Sequence, residues 1–329
     1  MKDRIGWGFI GAGGIAGRFM SGMQQVPEAA LVAVGSKTPG KGEAFTAKYG
    51  GQAVDSYEEV VAHPDVDVVY IATPHTFHLE HTLLALSAGK AVLCEKPMAP
   101  SAAQVRAMME TASAKGLYLM EAMWTRFFPV MQRVREWLAA GEIGQIQYVT
   151  ADFGFGGGGK ENPASRLFSP DLAGGSLLDV GVYTLAFAFM AFGRRPNRIV
   201  SLSDPASTGV DGRMGCLLGY EGGGIASLFS AVTTTTPQEA RIIGANGIIT
   251  IPGFWHPRSV SLARKGQPAE EFRSDHPAEG FQFEIEAVHE DLRAGRLENA
   301  VMPLQESLAI AETMDALRAQ WGLRYPFEK

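Results

Sequence analysis

Apolar residues in the first 120 positions fall into short runs separated by helix-period stretches, and this alternation predicts strand–helix–strand units. Ile5–Ile10 is an apolar run that ends in a glycine-rich turn, and a helical stretch follows to about Gln25, stopped by Pro27. Residues 31–35 read as a second strand and 42–49 as a short helix. Ser56 with Glu59 three residues on forms a capping box, opening a helix that ends near His63-Pro64. Residues 66–72 (VDVVYIA) are β-branched and apolar, as in a strand buried on both faces of a parallel sheet. Helices are predicted over 77–88, closed by Gly89, and over 101–115, closed by Gly116, with strands at 91–94 and 117–120. The spacing predicts a doubly wound parallel α/β sheet.

The pattern changes after Glu121. Pro129 opens a helix to about Ala140, and from Ile146 onward the apolar runs shorten. Strands are predicted at 199–203, 214–220, 224–232, 240–243, Gly247–Ile251 and 260–263, with helices at 176–192, 281–294 and Leu304–Trp321. Clustered strands with a few helices predict an α+β domain built on a mainly antiparallel sheet covered on one face. The boundaries are therefore 1–121 for a dinucleotide-binding domain and 122–329 for a second domain. The glycine tract at 156–159 reads as a mobile loop.

Composition agrees with two ordinary globular domains: 329 residues, 46% hydrophobic and 19% charged. The 29 basic and 35 acidic residues leave a net charge of −6, which argues against nucleic-acid binding. Two distant cysteines, Cys94 and Cys216, do not make a disulfide scaffold, and the seven histidines show no ligand-like cluster with them, so no metal is expected. No run of about 18 apolar residues is evident, which predicts no membrane span. The opening MKDRIGWGFIGAGG carries Lys2 and Arg4 before an apolar run, but glycines break that run, as suits a strand and turn rather than a signal peptide. The expectation is a cytoplasmic protein.

Gly11-Ala12-Gly13-Gly14-Ile15-Ala16 is G-x-G-x-x-A between a predicted strand and a predicted helix. Gly11 permits a tight turn, Gly13 lets backbone approach a pyrophosphate, and Ala16 lets the helix pack closely. The helix N-terminus behind Gly14 and Ile15 supplies N–H groups. About 20 residues later, where an NAD site offers a carboxylate, stand Gly35-Ser36-Lys37. A hydroxyl and an ammonium suit a 2′-phosphate, so NADP(H) is expected over NAD(H); the plain alternative is that Lys37 is a solvated loop lysine. Cys94-Glu95-Lys96-Pro97 follows a buried strand at the carboxyl edge where such sheets bind ligands. Lys96 can act there as a fixed cation beside a reacting oxygen, with Pro97 holding a sharp or cis turn.

GAGGIA at 11–16, IATPHTFH at 71–78 and CEKPMA at 94–99 together resemble the glucose–fructose oxidoreductase/inositol dehydrogenase/rhizopine catabolism (Gfo/Idh/MocA) family. Within it, EAMWTRFFP at 121–129 and SRLFSPDLAGGSLLDVGVY at 165–183 look like the branch of dimeric dihydrodiol dehydrogenases and NADP-linked D-xylose dehydrogenases. The resemblance covers nearly the whole chain. It implies an N-terminal Rossmann domain, a C-terminal open-faced sheet that pairs into homodimers, and a sugar, polyol or diol substrate.

It also implies that Lys96 is the lysine of the EKP motif, contacting cofactor and substrate, and that Tyr183 is the proton donor/acceptor. Asp179 and Tyr183 are spaced i and i+4, one face of a single helix, with Asp179 joining the catalytic set. A tyrosine ordinarily titrates near ~10, and a lysine ammonium nearby would favour the tyrosinate. Thr73, Pro74, His75 and His78 follow a strand end where relatives touch the nicotinamide ribose or diphosphate; the histidines could equally cap the next helix. Glu95, beside Lys96, is placed with the cofactor. Trp124 and Arg126 resemble a pair lining cofactor and substrate, though such a tryptophan is often core. Phe153, Phe155 and Arg166 are assigned to the substrate pocket, while Phe127, Phe128 and the apolar face at 185–189 are assigned to packing. Two other classes stay open on the same fold: a cofactor-sensing regulator, and a glycoside hydrolase that uses the cofactor transiently.

Overall fold

The computed structural model describes residues 4–156 and 161–328. Apart from Gly156, the glycine tract expected as a mobile loop lies outside the described residues. Contacts divide the chain into two compact units: Met1–Phe127 with His276–Leu308, and Phe128–Asp275 with Ala309–Lys329. The first crossing is six residues beyond the 121/122 boundary, and 276–308 returns to the first unit, which the apolar pattern did not signal.

The first unit runs β1 (Ile5–Ile10), α1 (Gly14–Met23), β2 (Ala29–Gly35), α2 (Lys41–Tyr49), β3 (Gln52–Val54), α3 (Tyr57–Ala62), β4 (Val68–Ile71), α4 (His78–Ser87), β5 (Ala91–Glu95), α5 (Ala102–Lys115) and β6 (Leu119–Ala122). All six strands pair in parallel, in the order β3-β2-β1-β4-β5-β6. That is the doubly wound order whose direction reverses between β1 and β4, placing a ligand crevice at the carboxyl ends of those strands. The capping boxes form as expected: Ser56 accepts from the Glu59 N–H and Ser101 from the Gln104 N–H. Strand β6 starts two residues later than predicted because the Leu117 N–H donates to Ala112 O, making Leu117 part of the closing turn of α5. Edge strand β3 was not predicted; three part-exposed residues carry no period.

Aromatic rings fill the space between this sheet and α1. Trp7 and Phe9 from β1 meet Phe19 of α1, which stacks on Tyr70 of β4 with centroids 3.9 Å apart.

In the second unit, α6 (Pro129–Ala139) has Pro129 in its first turn, where the missing N–H costs nothing. Then come β7 (Ile146–Gly154), α7 (Val182–Phe192), β8 (Arg198–Pro205), β9 (Asp211–Gly219), β10 (Ile225–Ala231), β11 (Ala240–Gly244), β12 (Gly247–Ile251), β13 (Ser259–Arg264) and β14 (Glu270–Arg273). The sheet order is β14-β13-β12-β11-β7-β10-β9-β8, with β7–β10 the parallel pair in an otherwise antiparallel sheet. Edge strand β14 escaped prediction because Glu-Glu-Phe-Arg offers no apolar alternation. Helix α7, buried almost throughout, packs against β7 and β10. On β8 and β9, Val200, Leu202 and Leu217 remain exposed, so the sheet has one open apolar face.

Two sequence expectations are corrected here. The segment expected as one helix over 176–192 begins instead with a wide i→i+5 turn, Leu177–Gly181, before α7. In addition, Pro170–Phe192 is long and apolar enough to cross a membrane by length and composition, although Asp, Gly and Ser interrupt its apolar run. Since 89% of its most apolar window is buried, it is the core element of this unit.

The chain then returns to the first unit as α8 (Phe281–Arg293) and the start of α9 (Leu304–Trp321). Gly22 permits α8 to approach, since a Cβ there would lie 2.6 Å from the Gln282 nitrogen. Trp7 Nε1 donates to His289 (3.0 Å) and the Tyr118 hydroxyl to Asp291 (2.9 Å), which ties α8 down.

Candidate active site

At the β1–α1 turn, Gly11 has φ +105°, and a Cβ there would lie 2.8 Å from Ala72 O, so a side chain is excluded both by conformation and by space. A Cβ on Gly13 or Gly14 would meet nothing within 4 Å among the described residues. Gly13 provides the N-cap of α1 without a side-chain hydrogen bond, leaving the first-turn N–H groups directed into that open space. Ile15 follows in the first turn of α1, and Ala16 is fully buried against the sheet. A concave turn of bare N–H groups fits a dinucleotide diphosphate.

Beyond β2, the Ser36 hydroxyl accepts from the Thr38 N–H (3.2 Å), shaping the loop that presents exposed Lys37. Its Nζ lies 5.6 Å from the Tyr57 ring centroid and 5.9 Å from that of Phe77. A cation held between two rings, with no acidic residue at 35–38, suits a 2′-phosphate.

The turn after β5 contains a cis Lys96–Pro97 peptide bond. Its neighbours hold it on every side. Glu95 accepts from the Tyr70 hydroxyl (2.5 Å) and the Lys96 N–H (3.2 Å); Glu121 accepts from the Met98 N–H (2.9 Å). His78 is fully buried between two carbonyls, Nδ1 2.9 Å from Pro97 O and Nε2 2.9 Å from Thr73 O. Burial raises the Glu95 carboxyl above its usual range and lowers His78 below its own. Glu95 and His78 thus brace the lysine turn, with both His78 ring nitrogens taken up by carbonyls. Lys96 itself is half-buried. Thr73 contacts His81, Oγ1 to Nδ1 3.0 Å, and His75 sets its ring edge-on to His78 at 5.7 Å. Burial pushes the Cys94 thiol well up, away from nucleophilic use.

Trp124 and Arg126, expected to line cofactor and substrate or, for the tryptophan, to sit in the core, lie next in the chain. Trp124 is buried and stacked on Phe281 (4.3 Å, 6°), and the buried Arg126 guanidinium pairs with Glu306 and donates to Val301 O (3.2 Å). Both contact the segment that returns to the first unit.

In the second unit, Tyr183 begins α7, with the Phe153 ring 5.4 Å away. Phe153 stacks on Trp255 (5.0 Å, 16°) and meets Phe155 edge-on at 6.4 Å. Trp255 donates from Nε1 to Gln238 Oε1 (2.8 Å). Gln238 has φ +60° and is held by its N–H to Asp152 (2.7 Å) and its amide to Gly154 O (2.9 Å). Gln238 is thus a non-glycine residue held in the left-handed region beside this aromatic wall. Trp255 and Gln238 were missed by sequence reasoning, because only the sheet topology brings them beside Phe153. Asp179, in the wide turn, is buried and paired with half-exposed Arg166 (2.9 Å). Both residues were foreseen but their pairing was not. Among the described residues, no group of three or more His, Cys, Asp or Glu could hold a metal ion.

Comparison with known proteins gives this arrangement its context. Residues 5–123 match the Gfo/Idh/MocA oxidoreductase family, NAD-binding Rossmann fold, and 131–250 match the Gfo/Idh/MocA C-terminal domain. The chain is 38% identical to mouse trans-1,2-dihydrobenzene-1,2-diol dehydrogenase over 98% of each chain. It is 34% identical to the D-xylose 1-dehydrogenase (NADP(+)) of Hypocrea jecorina, covering 97% of this chain and 93% of that one. The structure of the 3-ketoreductase KijD10 from Actinomadura kijaniata, solved with NADP and TDP-benzene, superposes with a TM-score of 0.85 at 27% identity, over 96% and 97% of the two chains. With both units matched and full-length relatives above 30% identity, the chain belongs to the Gfo/Idh/MocA family of oxidoreductases.

Proposed function

We propose that this enzyme interconverts a secondary alcohol and a carbonyl, or a lactol and a lactone, on a sugar, polyol or trans-dihydrodiol, with Tyr183 as proton donor/acceptor assisted by Lys96. It is an NAD(P)-dependent dehydrogenase acting on CH–OH groups. The observation that carries the finer reading is Tyr183 at the head of α7, walled by Phe153 and Trp255, with Asp179 in the turn before it. Stacked aromatic rings suit the apolar face of a pyranose or a cyclohexadiene ring.

Bound nicotinamide supplies hydride chemistry, and the chain handles the proton. In oxidation, the Tyr183 phenolate oxygen takes the substrate hydroxyl proton; in reduction, the phenol returns it. The Lys96 ammonium stabilises the phenolate and the developing alkoxide, and its rigidly braced turn keeps that charge in one place. The Asp179–Arg166 pair fixes the approach to Tyr183. NADP(H) is the preferred cofactor on the strength of Ser36 and Lys37, with NAD(H) as a weaker alternative.

The open apolar face of the second sheet, with Leu202 81% exposed, supports a homodimer in which a second copy covers the same face. Two buried free thiols, Cys94 and Cys216, go with a reducing, cytoplasmic setting.

A panel of D-xylose, other aldoses, polyols and trans-1,2-dihydrobenzene-1,2-diol, followed at the NADPH absorbance band, tests the reading. Turnover of at least one member with NADP+ is expected. Tight NADPH binding without turnover of any member would point to a sensor, and product without net NADPH change to a hydrolase.

A further inference from the structure

The wide turn Leu177–Gly181 places Asp179 in its middle and delivers the chain to Tyr183. The residue before it does not cap it in the ordinary way: the Ser176 side chain makes no bond to its own helix. The Ser176 hydroxyl instead donates to Asp211 Oδ2 (2.9 Å), and its oxygen lies 3.0 Å from the Ser230 hydroxyl. The Leu177 N–H donates to the same Asp211 oxygen at 2.6 Å. Asp211 comes from β9 and Ser230 from β10, so two strands grip the entrance to the turn.

The glycines on either side are shaped to this grip. Gly175 has φ +116°, and a Cβ on it would lie 2.0 Å from Asp211 Oδ1. A Cβ on Gly181, at the other end, would lie 2.9 Å from the Ser230 hydroxyl and 3.0 Å from Met214 Cε. Asp211, Ser176 and Ser230 are all buried.

We propose that Asp211 is a positioning residue for proton transfer: by holding Ser176 and Leu177 it makes the chain enter Leu177–Gly181 as a wide turn, and so aims Asp179 and Tyr183. This inference rests on Tyr183 being the proton donor/acceptor. Such single wide turns within helices recur at functional sites because they re-aim the side chains that follow. An anion at the head of the segment also meets the positive end of the helix. Among the described residues Asp211 has no ion-pair partner, so its charge is held by N–H and O–H donors alone. The titratable group that faces it is Tyr325, whose hydroxyl donates to Gly174 O (2.8 Å), with Arg318, Glu328 and Asp315 behind Tyr325. Burial raises the Asp211 carboxyl to about 6. A buried carboxylate without a cation lowers stability when ionised, whereas a neutral amide of the same shape accepts the two donors without that cost but more weakly. The ionised carboxylate is what grips Ser176 and Leu177 firmly enough to fix the turn.

The test is Asp211→Asn in the full-length enzyme, with Ser176→Ala as a milder variant and Tyr183→Phe as the reference. NADPH affinity is read by fluorescence titration and turnover with D-xylose and trans-1,2-dihydrobenzene-1,2-diol. For Asp211→Asn the expected result is NADPH affinity within twofold and Tm at pH 7.5 equal or higher. Its kcat falls at least tenfold, and the acid limb of the wild-type kcat profile near pH 6 is absent. Ser176→Ala is expected to lower kcat about threefold. If Asp211→Asn keeps wild-type kcat with its acid limb, or loses Tm in step with kcat, the proposal is overturned. If Tyr183→Phe abolishes turnover while Asp211→Asn does not, the Tyr183 reading stands and this inference alone falls. Wild-type turnover by Tyr183→Phe removes both.

Discussion

The glycine turn of the first unit and the wide turn of the second solve opposite problems. Around Gly11–Ala16, recognition comes from bare backbone of contiguous residues, and the essential feature is missing side chains. Around Asp179 and Tyr183, the essential feature is a set of side chains whose aim depends on Asp211, Ser230 and Phe153 from distant strands and Trp255 from the turn after β12. Binding a diphosphate needs donors and room; moving a proton needs charges held at depth in one orientation. The first device is therefore built from one contiguous stretch of chain, and the second is not.

The sharpest way to break this comparison is Gly13→Val. Its side chain enters open space, so Tm should hold while NADPH affinity, read by fluorescence titration, falls on the order of 100-fold, about 2.7 kcal/mol. Gly11→Ala should differ by also lowering stability, by roughly 1–2 kcal/mol in urea denaturation, because φ +105° is closed to alanine. If the two variants behave alike, the division between conformational and steric roles is wrong.

A stability titration sharpens the other side. Asp211 rises from 3.8 to about 6 on folding, so the native state binds more protons between those values. The contribution is complete below about pH 4, is lost as pH rises through about 6, and totals about 3 kcal/mol. Urea denaturation at pH 4 and pH 7.5 should show the Asn variant gaining on wild type by an amount of that order; a constant difference would contradict it. Lys37→Ala should lower the NADP/NAD preference in kcat/KM about tenfold, and an unchanged ratio would mark Lys37 as a solvated lysine. The smallest effect on catalysis is expected for Leu202→Asp, which puts a charge on the open sheet face. It should shift the mass in light scattering from dimer to monomer with kcat changed less than twofold.

How much could be read in advance follows the same division. Strand–helix alternation, both capping boxes and the Gly11–Ala16 turn are local, and each formed where periodicity and turn chemistry put it. Strands β3 and β14 were hidden, one too short and the other too polar to carry a pattern. The wide turn at Leu177–Gly181 was read as ordinary helix because its cause, Asp211, lies 34 residues away on another strand. That Glu95 and His78 brace the Lys96 loop was not legible, because a motif shows residue identity but not which way a side chain turns. The Arg126–Glu306 pair was hidden for the same reason, since Glu306 stands on a segment that rejoins the first unit only in three dimensions.

The central claim, that Tyr183 carries the proton while the first unit's turn holds the cofactor, is tested most directly by Tyr183→Phe. NADPH affinity and turnover of D-xylose and trans-1,2-dihydrobenzene-1,2-diol should be measured on one preparation. The account predicts cofactor affinity within twofold of wild type and kcat lower by about 10²–10⁴-fold. A kcat within threefold of wild type would contradict it.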